Sequence, residues 1–294
     1  MVTMKDFTLL TFKNLLESLQ VHNYQFFTVE EYFTGSKASS PNRPLAGFPS
    51  PPRPVIILRH DVDRKPQNSL ATAIVENKLG IQGTYYFRMV PESFNVDTIK
   101  QVADLGHEVG YHYETMDTVN EKFKMNNLKF KSEEERIDGA YRLFCENLEQ
   151  FRKVYPIKTI CMHGSPWSAF DNRDIWKKYS YKDLGIVGEP YFDIDFDRVF
   201  YLTDTGRRWN GFKYSIRDKI PQQERWIKEG LVFKTTNDII KAAQENKLPN
   251  RLMLTLHPQR WTNNPALWLW ELAAQRAKNV VKAFRISSLA RQQA

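Results

Sequence analysis

The feature that most constrains the fold is a repeated alternation of short apolar segments with longer amphipathic ones, starting at Val55. The short segments predict strands over 55–60, 83–88, 108–113, 158–163, 199–202 and 252–257, with weaker strand-like stretches at 191–194 and 231–234. Helical patterns predict helices over about 67–79, 96–105, 119–153, 236–246 and 265–284. Such alternation predicts a parallel sheet with helices outside it, as either a barrel or a doubly wound sheet.

The first 54 residues have a different character. Residues 7–20 predict an amphipathic helix with Asp6 as its N-cap, and a short strand and a helical turn follow. The stretch 34–54 is rich in Pro, Gly and Ser, which predicts a connector running over the rim of the sheet. Because the residues before this connector are too few to fold alone, we expect 1–54 to pack on a domain formed by 55–294.

Composition and charge limit the function classes. The 294 residues are 41% hydrophobic and 26% charged, as in a soluble globular protein. The net charge of +8 comes from basic residues scattered among acids, without a basic arm, so we expect no nucleic-acid partner. The charge suits a small-molecule or oligosaccharide substrate, including an anionic one.

Targeting signals and disulfides are not expected. The N-terminus lacks the apolar core of a signal peptide, and no apolar run is long enough to span a membrane, so the expected location is the cytoplasm. The two cysteines, Cys145 and Cys161, have no metal-binding spacing and are expected to be reduced core residues.

Polar side chains that handle metals or protons follow several of the predicted strands. They are Asp61 and Asp63 after the first strand, His112 after the third, His163 after the fourth and His257 after the last. Parallel strands bring their carboxyl ends to one face, so these side chains should converge. Mixed Asp and His ligands suit a divalent metal that activates water, and the remaining acid and imidazole suit a general base and a general acid.

Each of these residues also has a simpler interpretation. Asp61 and Asp63 can be solvated loop acids paired with Arg59 and Arg64, and a single histidine is more often structural than functional. The joint pattern favours a site. His60 points away from Asp61 by strand alternation and is expected to pack, as is His107.

Three segments of this chain resemble motifs of the polysaccharide deacetylase superfamily, also called the NodB-homology or carbohydrate esterase 4 superfamily. They are the Asp61/Asp63 pair, the segment Gly106–His112, which is the most specific match, and the segment Leu254–His257. The resemblance covers about residues 55–260 and implies an irregular (β/α)7-type barrel. It also implies that Asp61 is the catalytic base, that Asp63 and His112 are metal ligands, and that His257 assists the leaving group or stabilises the intermediate.

The chain departs from the family pattern at two points. The family's second metal histidine corresponds to Met116, which is a poor ligand for such a cation. His163 is the first choice to replace it, with Glu114 and Asp117 as alternatives. The segment 162–166 lies where the family carries an Arg-Pro motif that orients the base, and His163 can take that role instead.

Further residues are candidates for substrate binding. Arg59 shares a strand face with Asp61, and Asp204 and Arg207 lie in a polar loop with aromatic neighbours. Sugar sites combine hydrogen-bonding groups with flat apolar surfaces, which Trp167, Trp209 and Trp261 can supply unless they are core residues.

These features predict a metal-dependent hydrolase with one divalent ion, for which zinc is expected. It would remove an N-acyl group, most simply acetyl, from a sugar or a nucleotide- or lipid-linked sugar of surface-polysaccharide biosynthesis. Two alternatives remain open: a non-catalytic carbohydrate-binding member of the fold, and a hydrolase of a non-sugar C–N bond.

Overall fold

A computed structural model describes residues 5–35, 53–127, 129–164, 168, 170–210 and 220–292, with side chains described up to residue 281. The centre of the predicted connector, 36–52, lies outside the described residues. Trp167, a predicted substrate-binding residue, lies outside them as well.

The described strands form one parallel sheet. They are β1 (Gln25–Phe27), β2 (Val55–Val62), β3 (Thr84–Phe87), β4 (Glu108–Tyr113), β5 (Ile160–Met162), β6 (Phe200–Thr203) and β7 (Arg251–Leu256). The strand order is β5-β4-β3-β2-β7-β6, and β1 pairs with the first half of β2. Every named strand pair is parallel, and the sheet curls into a half-barrel, so the predicted α/β architecture is confirmed.

Helices connect these strands. They are α1 (Leu9–Val21), α2 (Val29–Thr34), α3 (Pro66–Lys78), α4 (Val96–Asp104), α5 (Thr115–Met125), α6 (Glu133–Arg152), α7 (Pro190–Asp193), α8 (Gln223–Lys228), α9 (Thr236–Gln244) and α10 (Pro265–Gln292). Short 3-10 turns occupy Asn172–Lys177, Tyr181–Leu184 and Pro258–Arg260. Of the described helices, none combines the length and the apolar character that crossing a bilayer requires.

The structure refines one helical prediction and contradicts two strand predictions. The charged helical region over 119–153 forms two helices, and Ser132, which has capping-box spacing to Glu135, caps the second helix by accepting from the backbone N–H of Glu135. The predicted strand 191–194 is the short helix α7, which Glu189 caps and Pro190 starts. The stretch 231–234 contains no strand.

The described part of the N-terminal segment joins the sheet. Gln25 N–H donates to Pro54 O (2.8 Å). β1 pairs with Val55–Ile57 of β2, and β3 pairs with β2 only from Arg59 onward, so β1 and β3 occupy successive parts of the same strand edge. Thr8, not Asp6, is the N-cap of α1. Asp6 instead accepts a hydrogen bond from the backbone N–H of Thr236 (3.0 Å) and so stabilises the start of α9.

β2 is the central strand, and all eight of its residues are buried. Its alternation places Arg59 and Asp61 on one face and His60 on the other. The His60 ring stacks on Tyr85 with a centroid distance of 4.1 Å, and its Nε2 lies 2.8 Å from Oε1 of Glu76. His60 thus packs against α3, on the face away from the two aspartates.

The segment Gly106–His112 has a structural reason for its glycines. Gly106 has φ +88°, a conformation that side chains disfavour. The ring of His107 donates to Ala73 O (3.0 Å) and accepts from Gly83 N–H (3.2 Å), which ties this turn to β3. Gly110 lies directly beneath the Tyr86 ring, where a Cβ would overlap the ring.

Replacing Gly110 therefore tests how tightly β3 and β4 pack. Gly110→Ala should lower the free energy of unfolding by about 1–3 kcal/mol, because the Tyr86 ring must move against a full core. Denaturant unfolding measures this. The matched control is Gly139→Ala in α6, where the new methyl meets Val119 only at ordinary contact distance. Because alanine favours a helix more than glycine does, this change should raise the free energy of unfolding by about 0.5–1 kcal/mol. Equal effects at both positions would contradict the packing argument.

Glu189 is a buried carboxylate that joins β5 to α7. It accepts hydrogen bonds from the backbone N–H groups of Met162 (2.9 Å), Tyr191 (2.6 Å) and Phe192 (3.2 Å). Burial raises the pKa of Glu189 from 4.5 to about 7, although these donors and the nearby Arg59 oppose the increase. The folded protein therefore favours the protonated form of this group.

This pKa predicts a pH-dependent stability. As pH rises from about 4.5 to about 7, the unfolded chain releases this proton before the folded protein does, so stability should fall by up to about 3 kcal/mol. Glu189→Gln should flatten this slope, whatever its effect on stability at a single pH. Chemical unfolding at several pH values gives the slope, and Glu149→Gln on the exposed face of α6 is the control. An unchanged slope in Glu189→Gln would refute the prediction.

Candidate metal centre

The strand register gathers the predicted polar residues at one end of the sheet. Pairing of β4 with β5 sets His112 beside Cys161, and His163 follows two residues after Cys161. Pairing of β2 with β7 brings His257 to the same end. The structure thus brings together the catalytic and ligand candidates, which are Asp61, Asp63, His112, His163 and His257.

Asp63, His112 and His163 form the centre of this group. Oδ1 of Asp63 lies 3.7 Å from Nε2 of His112 and 3.7 Å from Nε2 of His163. That oxygen is buried and has no hydrogen-bond donor among the described residues. An acceptor facing two ring nitrogens without a donor is the arrangement that a bound cation satisfies.

The other nitrogen of each ring fixes its tautomer. Nδ1 of His112 lies 2.9 Å from Cys161 O, a carbonyl that can only accept, so Nδ1 carries the proton. Nδ1 of His163 donates to Oε2 of Glu114 (2.8 Å). Both Nε2 atoms therefore direct lone pairs toward Asp63 in the neutral rings, as metal-binding histidines with an oriented outer partner do.

Electrostatics support neutral His112 and ionised Asp63. Burial lowers the pKa of His112 to about 4, so this ring is neutral at pH 7. Burial alone would raise the pKa of Asp63, but the surrounding His257, His163 and His112 outweigh it and lower this pKa. For His163, the hydrogen bond to Glu114 outweighs burial and raises the pKa, so a proton competes with a metal there.

The trio fits a divalent ion after a small adjustment. Two ligands bound to zinc at about 2.0–2.2 Å stand roughly 3.3 Å apart, slightly closer than the 3.7 Å separations found here. By distance, no group of three or more Asp, Glu, His or Cys side chains in the described ranges is placed to hold a metal ion. We still regard Asp63, His112 and His163 as able to hold a metal, because the remaining gap is a few tenths of an ångström.

The alternative ligands Glu114 and Asp117 do not reach the centre. Nε and Nη2 of Arg88 donate to the Glu114 carboxylate (2.7–3.0 Å), which also accepts from His163. Nη1 of Arg88 donates to the backbone carbonyl of Asp63 (2.9 Å). Glu114 is thus an outer partner that orients His163. Asp117 accepts instead from Ser168 and from Nδ2 of Asn172 (3.1 Å). Met116 is 1% exposed and packs in the apolar core.

Arg59 holds Asp61 rather than a substrate. Nε and Nη2 of Arg59 donate to the two carboxylate oxygens of Asp61 at 2.8 and 2.7 Å, and both side chains are buried. The predicted substrate-binding role of Arg59 is therefore corrected. The geometry also corrects the suggestion that His163 orients the base, since Arg59 does so from the same strand. Burial would raise the pKa of Asp61, but Arg59 outweighs it and lowers this pKa.

His257 is held by a second buried carboxylate. Its Nδ1 lies 2.6 Å from Oδ1 of Asp204, which is 0% exposed and also accepts from Arg260 Nη1 (2.5 Å) and Trp261 Nε1 (2.8 Å). Asp204 was predicted to bind substrate, but its oxygens are already engaged. It orients His257, whose Nε2 lies 3.9 Å from Oδ2 of Asp63.

Two predicted aromatic platforms are core residues. Trp261 is 1% exposed and packs on Phe7 with a centroid distance of 4.9 Å, and Trp209 is 2% exposed and donates to Thr236 Oγ1 (2.9 Å). Neither offers a face to a sugar, so both predictions were wrong. Arg207 is 6% exposed and donates to Trp268 O (3.0 Å), and its substrate-binding role stays a prediction.

Sequence reasoning missed Arg88, Gln259 and Arg260. Gln259 Nε2 donates to Oδ2 of Asp63 (3.0 Å), while Arg88 and Arg260 bind the carboxylates that orient His163 and His257. A signal was present, because Arg88 ends a predicted strand and the other two closely follow His257. Polar residues next to predicted ligands are therefore candidates for orienting those ligands.

Of three comparisons with known proteins, only the comparison with solved structures finds matches. No family model matches the chain, and no curated protein matches it. The structural matches are to carbohydrate esterase 4 (CE4) proteins. They include wild-type BA3943, a CE4 family pseudoenzyme from Bacillus anthracis, at 13% identity, over 77% of this chain and 62% of that chain, with a TM-score of 0.39.

Two mutants of BA3943 match similarly. One is a mutant with restored enzymatic activity, at 13% identity over 64% of its length, and the other matches at 14% identity over 68% of its length, both with a TM-score of 0.39. This chain thus spans only about two thirds of the length of these structures. The chemistry of the site rests on the side chains described above.

The Arg59–Asp61 pair gives a test of this site that does not depend on activity. Arg59→Met should lower the free energy of unfolding at pH 7 by about 3–5 kcal/mol, because it leaves the Asp61 carboxylate buried without its partner. The pair Arg173–Asp171 has the same residue types and forked geometry but is partly exposed. Arg173→Met should cost at most about 1 kcal/mol. Similar losses in the two variants would show that Asp61 does not depend on Arg59.

Proposed function

We propose that this chain is a metal-dependent hydrolase that removes an N-acyl group, most simply acetyl, from an amino sugar. The observation that carries the proposal is the buried, unpaired Oδ1 of Asp63, which faces Nε2 of both His112 and His163. A separate carboxylate and a separate imidazole lie beside this centre. Metal-dependent amide hydrolysis can use these three elements together.

Asp63, His112 and His163 would hold one divalent ion, for which zinc suits the mixed carboxylate and imidazole donors. Such an ion, when bound, polarises an acyl carbonyl and makes a water acidic enough for a weakly basic carboxylate to deprotonate. Glu114 and Arg88 keep His163 turned toward Asp63. This arrangement supports His163 as the replacement for the histidine that the family resemblance places at Met116.

Asp61 is suited to accept the proton from the attacking water. Oδ2 of Asp61 lies 3.8 Å from Nε2 of His112, next to the proposed ligands, while Arg59 fixes the plane of the carboxylate. Because Arg59 lowers the pKa of Asp61, the carboxylate is ionised at neutral pH and ready to accept.

His257 is suited to the leaving-group side. Asp204 fixes its Nδ1, so Nε2 points toward the centre and can stabilise negative charge on the acyl oxygen or give a proton to the departing amine. The Asp204 carboxylate stabilises the charged imidazole while it does so.

The substrate that we propose is an amino sugar, free or linked to a nucleotide or lipid, of surface-polysaccharide biosynthesis in the cytoplasm. The net charge of +8 supports a substrate that carries negative charge. The main alternative is a non-catalytic sugar-binding protein, which the methionine at position 116 favours. Hydrolysis of a non-sugar C–N bond rests on analogy of fold alone.

Metal content and turnover test the proposal together. After zinc is added and excess removed, the wild-type protein should retain about one metal per chain, and Asp63→Asn should lose it because a charged ligand is gone. Asp61→Asn should keep the metal but lose about 10²–10⁴-fold in deacetylation of N-acetylated sugars. Metal analysis and release of acetate are the measurements.

Asp197→Asn is the matched control, because its exposed carboxylate pairs with Arg225 before β6, at the opposite end of the sheet. It should keep both metal and turnover. A wild-type protein that binds no divalent metal would overturn the proposed centre. Metal binding and sugar binding without hydrolysis across a panel of acylated sugars would favour the non-catalytic alternative.

A further inference from the structure

One side of helix α10 is tied to the body of the protein by hydrogen bonds. Both oxygens of Glu271 accept from Nη2 of Arg64, at 2.8 and 3.0 Å, and Nδ2 of Asn279 donates to Gly206 O (2.9 Å). The inward-facing side chains recur at three- or four-residue spacing, and they are Trp268, Glu271, Gln275 and Asn279. This spacing places them on one side of the helix, so its orientation on the protein is fixed.

The opposite side of α10 is apolar and exposed. Its outward-facing apolar residues are Leu269, Trp270, Ala273, Ala277, Val280 and Val281. The larger side chains among them are between 47% and 60% exposed. Because these residues also recur at three- or four-residue spacing, they form one continuous stripe along the helix. Single exposed apolar side chains are common on proteins, whereas a continuous exposed stripe marks an interaction surface.

The charged residues of α10 are divided between the same two sides. In the sequence from Pro265 to Gln292, Glu271 is the only acidic residue, and its side chain is turned inward onto Arg64. The same stretch contains five basic residues, which are Arg276, Lys278, Lys282, Arg285 and Arg291. Arg276 and Lys278 lie where side chains are described, and both are exposed. Helical geometry places these two cations on opposite borders of the apolar stripe.

The sign of these charges decides between possible partners. A second copy docked on the same stripe would bring positive borders together, whereas an anionic surface is complementary to both borders. A further cation accompanies the largest apolar side chain, because Nζ of Lys65 lies 5.0 Å from the centroid of the Trp270 ring. Tryptophan, together with basic residues on long apolar stems, favours the boundary between lipid head groups and acyl chains.

We propose that the outer side of α10 binds the surface of a membrane that contains anionic lipids. The helix lies in the plane of the surface, with the apolar stripe at the ends of the acyl chains and Arg276 and Lys278 at the head-group phosphates. Because Glu271 and Asn279 tie α10 to the folded chain, this contact holds the whole domain at the membrane. The proposal does not depend on the proposed hydrolysis.

Binding to lipid vesicles tests the proposal. Flotation compares vesicles of phosphatidylcholine alone with vesicles of equal parts phosphatidylcholine and phosphatidylglycerol. The wild-type protein should bind the anionic vesicles at least about tenfold more strongly, because each basic residue at an anionic surface favours binding by about fivefold. Added salt should weaken this binding. A chain with a net charge of +8 can also adhere through other surfaces, so variants must identify the surface that binds.

Two variants of α10 have matched controls elsewhere. Trp270→Ala should weaken binding to the anionic vesicles at least about fivefold, because less apolar area enters the bilayer. Phe192→Ala, which removes an aromatic side chain of α7 that is 50% exposed, should bind like the wild-type protein. Arg276→Glu should weaken binding at least about tenfold. Lys241→Glu makes the same change in net charge at an exposed position of α9 and should have a much smaller effect. Thermal unfolding checks that all four variants are folded.

Three outcomes would overturn the proposal. Equal losses in Arg276→Glu and Lys241→Glu, with no effect of Trp270→Ala, would show that binding follows net charge alone. Failure of the wild-type protein to bind either kind of vesicle would exclude the membrane and leave an acidic protein as the partner. Light scattering tests the third case, in which Trp270→Ala dissociates a dimer that binds no vesicles and the stripe serves self-association. None of these measurements uses turnover or metal, so failure of the proposed hydrolase would leave their interpretation unchanged.

Discussion

The burial of two carboxylates at the end of the central strand is the constraint on which this site depends. Asp61 is 5% exposed, and the side chain of Asp63 is 22% exposed with one oxygen fully buried. An isolated buried carboxylate is so costly that it must be neutralised or paired. Asp61 has Arg59, whereas Asp63 has only an amide donor on one oxygen and two histidine acceptors facing the other.

This difference assigns the two acids different properties. The two hydrogen bonds from Arg59 neutralise the charge of the buried Asp61 carboxylate. They therefore stabilise its ionised form and fix its orientation. Among the described residues, Oδ1 of Asp63 has no donor, and the surrounding His257, His163 and His112 are what lower the pKa of this carboxylate. This difference supports the proposed roles of the two acids, with Asp61 as the base and Asp63 as a ligand.

Much of this arrangement was predictable from the sequence. The alternation of apolar and amphipathic segments predicts the parallel sheet, and the position of each polar residue just after an apolar run predicts convergence at one end. Asp61, Asp63, His112, His163 and His257 are brought together for this reason. Prediction succeeded where position along a strand decides which face and which end a side chain occupies.

Prediction failed where partners come from distant parts of the chain. Asp204 directly follows β6 and Trp261 follows the turn after β7, as substrate-binding residues would, but they bond to each other in the interior. No local pattern shows that their polar atoms are already used. The strand predicted at 191–194 failed because Glu189 and Pro190 start a helix there, and a capping carboxylate outweighs a short aromatic run.

The hydrogen-bond partners of His163 support its proposed role in place of a histidine at position 116. A histidine at that position would have to leave the apolar core in which Met116 is 1% exposed. His163 instead comes from the end of β5, where hydrogen bonding of its backbone N–H to Tyr113 O (2.8 Å) fixes the chain and Glu114 fixes the ring. Arg88 then bonds both to Glu114 and to the backbone of Asp63, so the proposed replacement ligand and the original one share a single support.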